Sequence, residues 1–87
     1  MSSLLHNVVL TGACGGLGQQ LARQLLAQGC AVALVGLQRE VLQRLAALAP
    51  ERTALYTPDV ADSAAMQAMA ADWMARHGLP DLVIANA

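Results

Sequence analysis

Short apolar runs alternate with longer amphipathic stretches along this chain, the signature of strands separated by helices. Asn7-Val8-Val9-Leu10-Thr11 is rich in β-branched residues and breaks at Gly12, which predicts a buried strand. After a glycine-dense turn, Leu17, Leu21, Leu25 and Leu26 recur at helical spacing up to Gln28, and Gly29 stands where a helix C-terminal glycine belongs. Ala31-Val32-Ala33-Leu34-Val35 is continuous and apolar, as expected of a strand covered on both faces. From about Gln38 a second helix turns Val41, Leu42, Leu45 and Leu48 inward and is ended by Pro50. Thr53 to Tyr56 reads as a third strand, stopped by Pro58. Asp62 and Ser63 are candidate N-caps for a third helix with Met66, Met69, Ala70, Trp73 and Met74 on its inner face, closed by Gly78 and Pro80. Leu82-Val83-Ile84-Ala85 predicts a fourth buried strand.

The order is βαβαβαβ, and strands joined by helical crossovers pair in parallel with right-handed connections, which makes the fold class α/β. Neither a repeat nor a linker divides residues 1–87, so they read as one unit. In a Rossmann-type sheet the chain lays down strands 1, 2 and 3 outward and then returns, leaving strand 4 on the far side of strand 1. Strand 4 would then be an uncharged, proline-free edge, which natural proteins avoid exposing. The sequence also stops flush with that strand. The expectation is an incomplete sheet: strands 1–4 of a doubly wound fold, forming the N-terminal part of one domain, or else a half-domain that pairs with a partner.

Composition narrows the function classes. With 56% hydrophobic and 13% charged residues, the chain is too apolar to be intrinsically disordered. A net charge of −1 leaves no basic face for a nucleic-acid backbone. Polar residues interrupt each apolar run well short of membrane-spanning length, and no signal peptide is visible. Cys14 and Cys30 do not suggest a disulfide framework, which favours a reduced, cytoplasmic protein. Tyr56 and Trp73 are the only aromatic residues, so the core must be aliphatic, with the methionines as filling. His6 and His77 have no second ligand at metal spacing, and Asp72 and Asp81 read as solvated.

The strongest chemical signal is Thr11-Gly12-Ala13-Cys14-Gly15-Gly16-Leu17-Gly18, which leaves a predicted strand and opens a predicted helix. Gly12 permits a sharp turn off the strand, Gly16 lets backbone approach a pyrophosphate, and Gly18 lets the helix pack closely on the sheet. The helix N-terminus then offers amide donors and the positive end of its dipole to phosphate.

This spacing resembles the TGxxxGxG motif of the short-chain dehydrogenases/reductases. Asp59-Val60 follows strand 3, where that family holds an Asp against the adenine ring. Asn86-Ala87 resembles the middle of the family's Asn-Asn-Ala-Gly segment, with Ala85 in place of the first Asn, and Asp81 with the Gly78-to-Ile84 stretch resembles the approach to strand 4. Gly12, Gly15 and Gly18 also satisfy the TGxxGxxG spacing of the epimerase-like branch, and the Gly-Gly-Leu-Gly run resembles ketoreductase domains of polyketide synthases. The Asn86-Ala87 ending favours the short single-domain branch. Alongside these, Asp59 has a plain turn-capping reading, Asn86 a strand-bridging one, and Cys14 that of a small polar residue on the phosphate side.

The resemblance implies an NAD(P)-dependent oxidoreductase that moves hydride between nicotinamide and a carbonyl or alcohol substrate, and that forms homo-oligomers at full length. Gly12, Cys14, Gly15, Gly16, Leu17, Gly18, Leu37, Gln38, Asp59, Val60, Asn86 and Ala87 are the implied cofactor contacts. Strand 2 ends in Gly36-Leu37-Gln38-Arg39 without the acid that would hold an NAD ribose, which leans slightly to NADP. The family's catalytic Ser, Tyr and Lys belong to a segment beyond Ala87. Tyr56 is no substitute, because the chain contains no lysine. The chain by itself is therefore expected to bind cofactor and catalyse nothing. The alternative is a non-catalytic dinucleotide-binding half-domain that self-pairs.

Overall fold

A computed structural model describes residues 6–86; Ala87 lies outside the described residues. The elements are β1 (Asn7–Thr11), α1 (Gly16–Ala27), β2 (Ala31–Val35), α2 (Arg39–Ala46), a 3₁₀ turn (Pro50–Arg52), β3 (Thr53–Tyr56), α3 (Ser63–His77) and β4 (Leu82–Ala85). The four strands form one parallel sheet in the order β3-β2-β1-β4. Val9 lies opposite Ala33 on one side and Val83 on the other, so β1 is central. This is the α/β Rossmann-type arrangement that the alternating pattern predicts.

Period-2 alternation divides the strands between two cores. Leu10, Val32 and Leu34 face Ala22 and Leu26 of α1 and Val41, Leu42 and Leu45 of α2. Val9, Ala33 and Val35 face Met69 and Trp73 of α3 on the opposite side. The helix ends are where local sequence predicts them. The Gly29 amide donates to the Leu26 carbonyl and the Cys30 amide to the Leu25 carbonyl, a Schellman closure of α1 with Gly29 at φ +88°. Asp62 caps α3 by accepting from the Ala65 amide at 3.1 Å.

Several residues expected to face inward are exposed. Leu17 is 60% exposed, because it sits in the first turn of α1, beside the motif loop. Leu48 is exposed and Ala49 is buried instead. Past Ala46 the amides of Leu48 and Ala49 bond three residues back, and this tighter winding rotates Ala49 onto the core face. Met74 is exposed beside Val83. β4 is not buried: Val83 is 58% exposed, since the strand pairs with β1 on one side only. An apolar run cannot by itself report whether a neighbour covers it.

A buried polar hub sets where β4 lies. The Trp73 indole N–H donates to Asn7 Oδ1 at 2.6 Å, and Asn7 Nδ2 donates to the carbonyls of His77 and Gly78, each at 3.0 Å. Asp81, read as solvated from the sequence, instead accepts from the amides of His6 and Asn7 through Oδ2 at 2.8 and 2.9 Å. The start of β1 thus holds both the end of α3 and the entry to β4. Asn7→Ala leaves the buried indole N–H unpaired, which costs about 1–3 kcal/mol. The expected result in urea unfolding is a lower midpoint at unchanged slope; an unchanged midpoint would contradict this role for Asn7.

Candidate functional site

At the C-terminal end of β1, three backbone segments meet at distances that exclude a side chain. Gly12 has φ +66°, and a Cβ there would lie 1.9 Å from the Asn86 carbonyl oxygen. A Cβ on Gly18 would lie 2.1 Å from the Gly12 carbonyl oxygen. These two glycines are therefore demanded by the fold itself. Gly16 differs, since a Cβ there would meet nothing within 4 Å. The chain's own packing gives no reason for a glycine at position 16, but a ligand approaching the backbone would.

The strand ends are held together by side chains. Thr11 Oγ1 donates to the Ile84 carbonyl and accepts from the Asn86 amide, both at 3.2 Å. Asn86 Nδ2 donates to the Gly12 carbonyl at 3.2 Å. Helix α1 starts beside this junction with Gly15 as its N-cap, no side-chain cap and no acidic residue in its first turn. Its first amides are thus left without a side-chain partner, next to a cleft of about 420 Å³ lined in part by Gly12, Cys14, Leu37, Gln38, Val60 and Asn86. The cleft lies at the strand carboxyl ends, where the order reverses from β2 to β4 about β1. Open α/β sheets bind ligands at such a switch point.

The remaining sequence-predicted contacts are placed differently. Gly15, Gly16 and Leu17 are exposed at the start of α1 and do not line the cleft, and Gly18 is buried. Asp59 does not line the cleft; its Oδ1 accepts from the Ala61 amide at 2.9 Å, the turn-capping role. Cys14 points toward the β2–α2 turn, where Gln38 bonds to its sulfur. Thr11, Val35, Gly36 and Pro58 also line the cleft, beyond the contacts that the resemblance implies. The signal for Thr11 was present in its place just before Gly12. That for Pro58 was not, because it depends on where β3 ends beside β2.

Tyr56 does not line the cleft and is engaged by α3 instead. Its hydroxyl donates to Asp72 Oδ2 at 2.6 Å, and Arg76 Nε lies 2.9 Å from the same oxygen. Burial first, and then Asp72, push the phenol pKa above its ordinary value of 10.0. The hydrogen bond from Tyr56, then the Arg76 charge, hold Asp72 below 3.8. Asp72, too, is therefore partnered and not simply solvated.

A parallel sheet in this order, a glycine turn leaving its central strand and a cleft at the switch point together define a Rossmann domain of the NAD(P)-binding class. The chain belongs to the short chain dehydrogenase family, whose model it matches over residues 6–87. It is 38% identical over 79 residues to the 2-dehydro-3-deoxy-L-rhamnonate dehydrogenase (NAD(+)) of a Sphingomonas species, covering 91% of this chain and 31% of that protein. It is 33% identical over 81 residues to meso-2,3-butanediol dehydrogenase of Serratia marcescens, covering 92% and 32%. Among solved structures, a Brucella melitensis short-chain dehydrogenase/reductase superposes with a TM-score of 0.83 at 36% identity, over 95% of this chain and 37% of that one. A metagenomic short-chain oxidoreductase in complex with NADP superposes with a TM-score of 0.82 at 30% identity, over 98% and 41%. The chain thus spans about a third of the length of these curated relatives.

Two tests follow from this geometry. Gly12→Ala and Gly18→Ala should each destabilise the fold by about 2 kcal/mol or more, whereas Gly16→Ala should be neutral or stabilising by up to about 1 kcal/mol. Thermal unfolding of the three variants checks the order, and equal losses at all three positions would contradict it. The second test is pH. A depressed carboxylate contributes stability that is present above 3.8 and lost as pH falls through its lowered value. A raised phenol contributes stability that is present below 10.0 and lost as pH rises beyond it. Tyr56→Phe should therefore show its largest deficit between these limits and a shrinking one outside them, read from denaturant midpoints across pH.

Proposed function

We propose that residues 1–87 are the N-terminal, cofactor-binding part of one NAD(P)-binding domain in an oxidoreductase acting on small carbonyl or alcohol substrates. The observation that carries this reading is Gly16, a glycine that the fold does not need, placed at an uncapped helix N-terminus beside the switch-point cleft. The residues fit the cofactor. The amides at the start of α1 suit the pyrophosphate, and the apolar side chains of Leu37 and Val60 suit a flat base. When bound, the dinucleotide supplies hydride chemistry at its nicotinamide ring. The part of this chain is to bind and orient it. Tyr56, whose hydroxyl is bonded to Asp72 and whose pKa is raised by burial, takes no part in moving the proton.

Between the two dinucleotides we favour NADP. No acidic residue stands at Gly36-Leu37-Gln38, and the adjoining surface hollow beside Gln38 is lined by Arg39 and Arg44 against a single acid, Glu40. Arg39 Nη2 donates to Thr57 Oγ1 at 3.3 Å, which keeps its guanidinium near the carboxyl end of β3. The names of the similar proteins include both forms, NAD(+) for the rhamnonate dehydrogenase and NADP for the metagenomic oxidoreductase.

A second reading, a half-domain that pairs with another copy, draws on the open edge of β4 and the exposed Val83. Concentration-dependent mass in sedimentation distinguishes it. For the first reading, calorimetric titration with NADPH and NADH should show binding, tighter for NADPH. Gly16→Val should leave the unfolding midpoint nearly unchanged while weakening binding about tenfold or more, or 1.4 kcal/mol. Equal binding by wild type and Gly16→Val would remove the support for this site.

A further inference from the structure

We propose that Cys14 is a positioning residue that clamps the β2–α2 turn in the place from which Leu37 and Gln38 meet the nucleotide, an inference that rests on the dinucleotide reading above. The Cys14 sulfur engages one residue twice: the Gln38 amide donates to Sγ at 3.4 Å, and the thiol donates to the Gln38 carbonyl at 3.4 Å. Gln38 is the N-cap of α2, and its carbonyl also accepts from the amides of Val41 and Leu42 at 3.1 and 3.2 Å. Its own side chain makes no capping bond. The start of α2 is thus tied to the glycine loop through one sulfur atom.

The turn is shaped to admit that sulfur. A Cβ on Gly36 would lie 2.5 Å from Cys14 Sγ but 3.5 Å from Cys14 Cβ and from the Cys14 amide nitrogen. A methyl at position 36 therefore collides with the sulfur alone. It would turn the thiol away and break both bonds, yet sit in ordinary contact once the sulfur is gone. Gly36 and Cys14 form a size-matched pair, and both line the cleft with Leu37 and Gln38. Leu37 is 80% exposed and has little packing of its own. Its backbone is held on one side by the Gly36 amide, which donates to the Tyr56 carbonyl at 3.1 Å, and on the other by the bonds between Cys14 and Gln38. Cys14 acts on the nucleotide through the turn.

The test combines amide hydrogen exchange with titration by ADP, which carries the adenine, ribose and pyrophosphate. Cys14→Ala should raise the exchange rate at the Gln38 amide about threefold to tenfold, the range for loss of one weak hydrogen bond. It should weaken ADP by a similar factor while leaving the unfolding midpoint near that of wild type. Gly36→Ala should reproduce both effects, and the double variant should be no worse than either single one. Cys14→Ser, which keeps a group that donates and accepts, should recover most of the loss. Unchanged exchange in Cys14→Ala, additive effects in the double variant, or raised exchange with undiminished ADP binding would each overturn the proposal. Failure of the wild-type chain to take up ADP would overturn the dinucleotide reading and the positioning role with it, while exchange at Gln38 would still report whether the clamp exists.

Discussion

The hydrogen bond from the Trp73 indole to Asn7 Oδ1 is the interaction on which the arrangement of this chain turns. A polar side chain buried at the head of the central strand has to find partners, because leaving a donor or acceptor unmet in an apolar interior costs free energy. Asn7 finds them in Trp73, His77 and Gly78, about seventy residues further along the chain. Those partners carry α3 across to the opposite face of the sheet and deliver β4 to the free side of β1. With β4 there, β1 is flanked on both sides, and the strand order reverses about it. The switch-point cleft is a consequence of that reversal. A polar contact at one end of the sheet thus helps to fix the strand reversal that opens a cleft at the other.

At that other end the constraint is steric. Gly12 and Gly18 bring the turn, the helix and the end of β4 closer together than any side chain would allow. Thr11 and Asn86 then join the two strand ends by side-chain to backbone bonds. The close approach fixes the start of α1 just after the loop residues Gly12 and Cys14 that line the cleft, and no capping side chain meets its first amides. The neighbouring glycines differ in what they do for the packing: Gly12 and Gly18 are required by it, and Gly16 faces open space.

Much of this was legible before any coordinates. The strand boundaries of β1, β2 and β3, the glycine closing α1 and the Asp62 cap follow from apolar runs, turn residues and capping chemistry. All of these are local, acting within a few positions of the residue concerned. The inward faces of the helices were legible only in their middles. Leu17 and Leu48 keep the periodic spacing but lie at a helix start and past a helix end, where packing no longer follows the helical period. The burial of β4 was misread for a related reason: four apolar residues describe what a strand would tolerate as cover, not whether cover is present.

The amino-acid sequence by itself determined the α/β class, the order of elements and the family, because hydrophobic period and a glycine spacing are properties of neighbouring residues. Tertiary structure alone decided the partners of Asp81 and Asp72, the turning of Asp59 into its own loop, and the meeting of Cys14 with Gln38. These contacts join segments by the geometry of the sheet, or choose among local bonds by what surrounds them. A side chain's neighbour across space depends on strand order and register, and those are set only when the whole chain has packed.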